Sequence, residues 1–451
     1  MNIKKWISRH YLAFGVLTVI AVFLILSDLS VRRQSGANHQ PEIAGASTQN
    51  IEDDPGEGEI SPTPTIPDLY AYLPWVPSNT PTPTLISSSQ SPTSTPEPSS
   101  TPTPQNDPTS TPMPTSLPTA TPTITLTPTP TISDQLQGNP YGVMLSSNSL
   151  TQAERLNIAQ TLGVAYYRPS DIDVSANVAI SCQDCQAFLS NGVKLILTVR
   201  NGGGGGVPSD PPDDLNLYKS QIAAVLSQYK PALLVVENEE NSNALFYSGT
   251  PAEYHVELTA ACAQSHSQGY KCTNGGLVSS FVALLVGNSY YEQGDSNKAN
   301  DYLKRTLDSQ TYAIWLKNPN DPQIQDQISK GKALISGYKE DGADYINFHW
   351  YINDTEALDE AITYLHTTSG LSVVSNEVGQ QGSINSSQVT NISRQMYYSK
   401  LPLAVWFSID MPGADGAKAL NYTDGTLRSN GVAYKNVISE YKNGTIPTPT
   451  P

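Results

Sequence analysis

The sequence has little positive charge. Its 451 residues include 25 Lys and Arg against 41 Asp and Glu, so the formal net charge is -16 and the pI is near 4.7. Such a surface repels nucleic acids and anionic lipid headgroups, and we expect neither as a partner. Neutral polymers remain compatible with this charge.

Cysteine is also scarce, and the four cysteines do not make a metal-site pattern. Cys182 and Cys185 form one C-x-x-C motif, but Cys262 and Cys272 do not form a second, and the chain has only six histidines. We therefore expect disulfides, including a bridge between Cys262 and Cys272 across a helix-to-strand turn, in an oxidising compartment. Half of a zinc site or a redox pair is the alternative interpretation of Cys182 and Cys185.

Nucleotide-binding motifs are absent. The first apolar run, Tyr141 to Leu145, is not followed by a glycine-rich turn, and Gly202 to Gly206 lacks the Lys-Ser/Thr of a phosphate loop. This disfavours a doubly wound open sheet with a nucleotide site, which is the structural alternative. We interpret Gly202 to Gly206 as a flexible rim loop.

The N-terminal segment, residues 1–33, has the features of a membrane anchor. Tyr11 to Ser27 carries no charge, and as a helix it would reach roughly 26 Å, enough to cross a membrane. Three basic residues precede it against Arg32 and Arg33 after it, which places the N-terminus in the cytoplasm. The nearest small-residue cleavage site, Ala44 to Ala46, is too distant for a usual signal peptide, so we predict an uncleaved signal anchor. A cleaved signal peptide is the alternative.

Residues 34–137 are dominated by Pro, Thr and Ser, with repeats such as Pro62-Thr63-Pro64-Thr65. Such a composition cannot bury a core, and it predicts a disordered, extended linker that works as a stalk. Residues 444–451 form a similar Pro/Thr tail. The intervening residues, 138–443, are long enough for one α/β barrel with insertions.

Within residues 138–443, short apolar runs alternate with stretches of helical period. Leu358, Ala361, Ile362 and Leu365, for example, follow the i, i+3, i+4, i+7 pattern of an amphipathic helix. This alternation predicts a parallel sheet, and eight units close into a (β/α)8 TIM barrel. A longer stretch from Phe281 to Glu340 predicts additional helices at the rim. The predicted strands are Tyr141 to Leu145, Val164 to Tyr167, Lys194 to Val199, Ala232 to Val236, Tyr270 to Thr273, Tyr345 to Phe348, Leu371 to Val374 and Leu403 to Phe407.

Carboxylates, amides and aromatic residues follow these runs directly. In a parallel barrel all carboxyl ends of strands lie on one face, so these side chains should converge. Two carboxylates on different strands are the minimum equipment for cleaving a glycosidic bond, and amides and aromatic rings suit sugar hydroxyls and ring faces. The residues at the predicted strand ends are Arg168, Glu237, Asn238, Glu239, Asn274, His349, Trp350, Tyr351, Asn376, Glu377 and Trp406.

The strand ends Glu237-Asn238-Glu239, His349-Trp350-Tyr351 and Asn376-Glu377-Val378-Gly379, with Trp406, resemble those of clan A glycoside hydrolases, the retaining (β/α)8 barrels. The resemblance covers about Pro140 to Tyr441. It implies a glycosidase without metal or cofactor, acting on an oligo- or polysaccharide. It further implies Glu239 as general acid/base and Glu377 as nucleophile, with substrate-binding or orienting roles for Arg168, Asn238, His349, Tyr351 and Trp406.

The sequence departs from that pattern in its carboxylates. Glu240 stands where many members have Pro, and Glu237 is a further candidate for the acid. Because alternate strand residues share a face, Glu237 is expected beside Glu239, where like charge would raise the pKa of Glu239. Otherwise Glu237 is expected to pair with a basic residue of a neighbouring strand.

Three functions are compatible with the sequence. The first is a membrane-anchored extracellular glycosidase, single-pass in the cell membrane and monomeric. The second is a catalytically inactive carbohydrate-binding or adhesion barrel, and the third is a stalked structural protein, which predicts no converging carboxylates. A separation of about 5 to 5.5 Å between the Glu239 and Glu377 carboxyl groups would support retention, and about 6.5 to 9.5 Å inversion.

Overall fold

The computed structural model describes residues 135–176, 178–204, 207–380, 385–411 and 418–449. The predicted anchor and nearly all of the predicted stalk lie outside these residues. Within the described ranges, no helix combines the length and apolar character that a membrane span needs.

The described chain contains a closed parallel barrel. Eight strands pair in the order β2-β1-β9-β8-β7-β6-β5-β4, and pairing of β2 with β4 closes the ring. The ninth, β3, is a two-residue strand beside the end of β4 that the sequence did not predict. The strands are β1 Tyr141–Leu145, β2 Tyr166–Arg168, β3 Ile172–Asp173, β4 Lys194–Arg200, β5 Leu233–Val236, β6 Cys272–Asn274, β7 Tyr345–Trp350, β8 Ser372–Val378 and β9 Ala404–Ile409. The (β/α)8 prediction is therefore confirmed.

Helices separate the strands. Several begin at residues that favour a helix start, and Thr151 and Thr250 each form a capping box with the glutamate three positions later. Leu358, Ala361, Ile362 and Leu365 are all buried on one helix, as their spacing predicts. The helices are α1 Gln152–Leu162, α2 Cys185–Ser190, α3 Leu215–Tyr229, α4 Pro251–Ser267, α5 Ser279–Glu292, α6 Ser296–Thr306, α7 Ser309–Lys317, α8 Pro322–Gly337, α9 Thr355–Ser369, α10 Ser386–Tyr398 and α11 Ser429–Asn443.

The stretch between β6 and β7 holds four helices, α5 to α8, where a simple barrel unit needs one. Its helices pack through buried residues such as Trp315, whose indole Nε1 donates to Asn300 Oδ1 at 2.9 Å. The predicted helical insertion is thus confirmed.

Two apolar layers hold the barrel together. One cluster consists mostly of strand residues from around the ring, among them Tyr166, Ile196, Val235, Val374 and Val405, and it fills the barrel interior. The larger cluster joins the outer face of the strands to the helices. Successive residues of a strand belong alternately to these layers, and this alternation decides which side chains reach the site.

The four cysteines form two disulfides, as expected. Cys262 of α4 bonds Cys272 of β6, 10 positions later in the sequence, and Cys182 bonds Cys185. The predicted Cys262 to Cys272 bridge is confirmed. All four cysteines are therefore occupied as structural crosslinks.

Candidate active site

The acid-bearing segment follows the end of β5. The strand ends at Val236, and Glu237 and Glu239 then adopt positive φ angles of 66° and 46°. Glutamate rarely adopts this left-handed conformation, and such strain is concentrated at functional sites. The turn is closed by the backbone N–H of Ser242, which donates to the Glu239 carbonyl at 2.7 Å. It aims the Glu239 side chain across the barrel mouth toward β7 and β8.

Glu377 lies near the end of β8, paired in register with His349 of β7. Arg168 Nη1 donates to its Oε2 at 2.7 Å, and the Tyr351 hydroxyl donates to its Oε1 at 2.6 Å. Burial alone would raise the pKa of Glu377, but the positive charges of His349 and Arg168 and the two hydrogen bonds outweigh it and lower the pKa. Glu377 is therefore held as a carboxylate.

Glu239 has a different environment. Its Oε1 lies 2.9 Å from Nδ1 of His349, and 7 % of the residue is exposed. Burial raises the pKa of Glu239, and the charge of Glu377 adds to the rise, against the lowering effect of His349 and Arg168. The two carboxyl groups are thus driven in opposite directions, one toward the proton-donating form and one toward the ionised form.

The two carboxyl groups face each other at short range. One oxygen from each, together with a ring nitrogen of His349, lie within 4.8 Å of one another. Arg168 also connects the two strand ends, since its Nη2 donates to Asn238 Oδ1 at 2.8 Å. The structure therefore brings six of the seven residues with an implied role into one network: Arg168, Asn238, Glu239, His349, Tyr351 and Glu377.

Trp406 is not part of this network. It is 2 % exposed and packs against Tyr434 of α11, with 5.4 Å between ring centroids. Val405 belongs to the interior layer, so its neighbour Trp406 points toward the helices and Phe407 points inward again. The half-buried ring of Phe407 lies 5.9 Å from that of Tyr351. Phe407, rather than Trp406, is therefore the aromatic residue of β9 that lies beside this network.

Strand alternation predicted that Glu237 and Glu239 would share a face, and this prediction is wrong. Its Oε1 accepts the backbone N–H of Asn201 at 2.7 Å, and its Oε2 accepts the Ser209 hydroxyl. The extended backbone stops at Val236, so alternation no longer applies. Glu237 instead ties the loop after β4 to the acid-bearing turn.

The alternative expectation for Glu237 agrees with the structure. Arg200, at the end of the neighbouring strand β4, has its Nε 3.7 Å from Glu237 Oε2. Burial is the main cause that raises the pKa of Glu237 to about 7. Glu240 is likewise buried, accepting from Asn274 Nδ2 at 2.7 Å and from the Tyr338 hydroxyl. Both extra carboxylates therefore have structural partners.

Two glycines leave room for the side chains of the site: Gly276, which the sequence had not singled out, and Gly379, which belongs to a strand-end motif. At Gly276, which has φ +107°, an added Cβ would lie 2.3 Å from Nε2 of His349. At Gly379 it would lie 2.2 Å from the Tyr351 ring. The position of Gly379, directly after the strand that carries Glu377, is a sequence signal that could have identified it.

Within the described ranges, Glu239, His349 and Glu377 have ligand atoms within 4.8 Å of one another, close enough to hold a metal ion. However, the guanidinium of Arg168 lies 2.7 Å from Glu377, and its fixed positive charge opposes a cation at the same carboxylate. We therefore assign no metal-ligand role to these residues.

No family model and no curated protein matches the chain. Among solved structures, it is similar to a glucosidase from Croceicoccus marinus (12% identity, 67% of this chain and 68% of that one, TM-score 0.47). It is also similar to a GH128 endo-β-1,3-glucanase from Pseudomonas viridiflava (15%, 66% and 97%, TM-score 0.41). A third is a GH128 oligosaccharide-binding protein from Trichoderma gamsii (13%, 68% and 97%, TM-score 0.38).

These neighbours are glycoside hydrolases or named as members of such a family, as the strand-end resemblance predicts. At such identities and TM-scores they assign no activity, and the chemistry follows only from the side chains themselves. By its strand order the described chain is a (β/α)8 barrel, and the residues at its strand ends resemble those of clan A glycoside hydrolases.

Proposed function

We propose that this protein is a retaining glycoside hydrolase that cleaves O-glycosidic bonds of an oligo- or polysaccharide. The observation that carries the proposal is the pair Glu239 and Glu377, with carboxyl oxygens within 4.8 Å and pKa values shifted in opposite directions. A nearest-oxygen distance within 4.8 Å favours the closer spacing of retaining enzymes over the wider gap that inverting enzymes need for a water between the carboxyl groups.

In the first half of the reaction, the Glu377 carboxylate attacks the anomeric carbon while Glu239 protonates the leaving oxygen. Arg168 and Tyr351 keep Glu377 ionised and oriented before the attack. In the second half, Glu239 takes a proton from water, and that water displaces the sugar from Glu377.

The substrate contacts follow from what surrounds the pair. Asn238, 5 % exposed and fixed by Arg168, is placed to bind a hydroxyl near the bond that breaks. Phe407 offers an apolar ring face, and Tyr351 borders both it and Glu377. Arg168 is fully buried and acts on Glu377 rather than on the sugar.

We further propose that the barrel works outside the cell, as a monomer, on a membrane anchor formed by residues 1–33 and a stalk formed by residues 34–137. The apolar run Tyr11 to Ser27 and the Pro/Thr-rich composition support this arrangement. The two disulfides support an oxidising compartment. Light proteolysis of intact cells should release an active barrel, and a mature N-terminus near Ser47 would contradict the anchor.

The test of activity is a screen of the purified full-length protein against aryl glycosides and polysaccharides, followed by NMR of the first-formed product. Retention predicts a product with the same anomeric configuration as the substrate, and an inverted product would refute the mechanism. Binding of a polysaccharide without turnover by the wild type, unchanged in Glu377→Gln, would favour the inactive carbohydrate-binding barrel.

A further inference from the structure

Behind the carboxylate pair, a ladder of buried asparagines crosses the barrel. Asn274, Asn347 and Asn376 lie on β6, β7 and β8, and each is 0 % exposed. Asn347 is held by two backbone groups whose roles are unambiguous. Its Oδ1 accepts the backbone N–H of Asn376 at 3.0 Å, and its Nδ2 donates to the backbone carbonyl of Asn274 at 3.1 Å. The orientation of the Asn347 amide is therefore fixed.

The fixed amide determines the orientation of the next one. Asn347 Nδ2 lies 2.7 Å from the Asn376 side chain, so the atom it meets there must be the acceptor, Oδ1. The same Oδ1 lies 3.0 Å from Nε2 of His349. Because an amide oxygen only accepts, Nε2 of His349 must carry a proton.

The other imidazole nitrogen, Nδ1, lies 2.9 Å from Glu239 Oε1. A neutral His349 protonated on Nε2 can only accept at Nδ1, so Glu239 must then be the donor. If the proton moves to Nδ1, His349 becomes an imidazolium that donates to the Glu239 carboxylate. In both forms one proton is shared between these two atoms.

We propose that Asn376 is a positioning residue that fixes the Nε2–H form of His349, so that Nδ1 and Glu239 Oε1 share the proton used in acid catalysis. The inference rests on the proposed glycosidase function. During the first half-reaction this proton passes to the leaving oxygen, which leaves a Glu239 carboxylate and a neutral His349. Water returns one proton to the pair when it attacks the glycosyl-enzyme intermediate.

A second observation supports this role. Within the described residues, the buried Nδ2 of Asn376 has no hydrogen-bond partner. An unpaired buried amide group destabilises a protein, and a leucine of similar size would avoid that loss. The oxygen of Asn376, with its two donors, is the part of the side chain that the structure uses.

Four charged or titratable groups act on His349. Glu239 and Glu377 face it, the latter 3.8 Å from Nδ1, and Arg168 and Glu240 lie close enough to act through their charge. Burial lowers the pKa of His349, but the two carboxylates outweigh it, and the pKa is raised overall. The negative charge of Glu377, the proposed nucleophile, therefore helps to keep the shared proton on His349 and Glu239.

The test is NMR of the full-length protein with ¹⁵N-labelled imidazoles, in which the His349 signals are identified by their loss in His349→Phe. We expect Nε2 of the wild type to stay protonated across the pH range, and only Nδ1 to titrate. An Nε2 that resonates as an unprotonated nitrogen in the neutral form would overturn the proposal, whether or not the protein hydrolyses glycosides.

Two substitutions at Asn376 separate positioning from packing. Asn376→Asp keeps the acceptor and should keep the Nε2 proton, whereas Asn376→Leu should give a mixture of tautomers. We expect Asn376→Leu to lower kcat roughly 10- to 100-fold with little change in KM, the size of loss seen when a partner that orients a metal-ligating histidine is removed. Asn288→Leu, at a buried asparagine of α5, is the matched control and should keep the wild-type spectrum and rate. Wild-type tautomer and rate in Asn376→Leu would contradict the proposal, and if that variant does not fold, the spectra of the wild type and Asn376→Asp still decide.

Discussion

Arg168 and Glu377 form a buried ion pair of 2.7 Å, in which the guanidinium is 0 % exposed and also holds Asn238 through its second nitrogen. One side chain therefore sets both the ionisation of the proposed nucleophile and the position of the amide next to the proposed acid. Its charge cannot be lost by titration, since arginine stays protonated at any pH the protein would meet.

Replacing Arg168 with methionine should move the acidic limb of the kcat/KM profile to higher pH. Arg168 is one of the charges that lower the pKa of Glu377, so without it the carboxylate binds a proton more readily and is inactive over a wider acidic range. Leaving Glu377 buried without this partner should also destabilise the fold by about 3 to 5 kcal/mol. Denaturant titration and a pH-rate profile measure the two effects. Arg168→Lys retains the positive charge and should keep more activity at acidic pH than Arg168→Met. Equal pH-rate profiles for the two variants would contradict this account.

The roles of the carboxylates can be separated by leaving-group dependence. Glu377→Gln should abolish hydrolysis, whereas Glu239→Ala should lose about 10²- to 10⁴-fold on poor leaving groups and much less on good ones. Azide should restore activity to Glu239→Ala, because the small anion can replace water without a general base. Glu237→Gln is the comparison for the adjacent carboxyl group. If it harms hydrolysis of natural substrates more than Glu239→Gln does, the acid has been assigned to the wrong residue.

Gly276→Ala should inactivate the protein through His349. The new Cβ would lie 2.3 Å from the imidazole Nε2, so the ring must move away from Asn376 and Glu239. Gly294→Ala is a matched control, because Gly294 also has a positive φ, +85°, but nothing within 4 Å of the added Cβ. Both variants should lose about 1 kcal/mol from backbone strain, and only Gly276→Ala should lose activity. Parallel melting curves and rates would show whether this separation holds.

The two aromatic residues at the end of β9 should respond differently. Phe407→Ala should raise KM for oligosaccharides with little loss of stability, since the half-buried ring faces the site. Trp406→Ala should lower stability by about 3 to 5 kcal/mol, because it leaves a cavity against Tyr434. The milder Trp406→Phe should keep KM near that of the wild type. A KM effect confined to Trp406 variants would restore Trp406 as the sugar-binding residue.

Glu237 should make stability fall as pH rises. Its pKa is about 7 in the folded protein against 4.5 as its ordinary value, so the folded state binds the extra proton between these limits. The associated stabilisation is complete below about pH 4.5 and is lost as the pH rises through 7. Glu237→Gln cannot titrate and should flatten the stability profile in this window. Thermal melts from about pH 4 to 8 measure it, and identical slopes in both proteins would refute the assignment.

The sequence was most informative where a strand ends in polar residues. Apolar runs that stop abruptly at carboxylates, as at Val236 before Glu237, indicated the barrel and the face on which six of the predicted residues converge. The disulfide between Cys262 and Cys272 followed in the same way, from its place across one helix-to-strand turn. Patterns of this kind can be recognised in the sequence because each depends on residues of only one strand-helix unit.

Other features depend on pairing across the barrel and could not be predicted. Phe407 rather than Trp406 faces inward because successive residues of β9 alternate between the two apolar layers. An error of one residue in assigning this alternation exchanges the two side chains. The turn at Glu237 required a left-handed glutamate, which no propensity favours. The orientations of Asn347 and Asn376 depend on backbone groups of neighbouring strands.

The pairing of β9 with both β8 and β1 has a consequence for synthesis. This strand is the last of the barrel to leave the ribosome, and until it inserts, the ring stays open between the first strand and the one that carries Glu377. The Cys262 to Cys272 bridge and the helices α5 to α8 precede β9 in the sequence, whereas the strand that carries Glu377 needs β9 as its neighbour. If the proposed hydrolysis occurs, it should therefore require the insertion of β9, and chains truncated before β9 should be inactive.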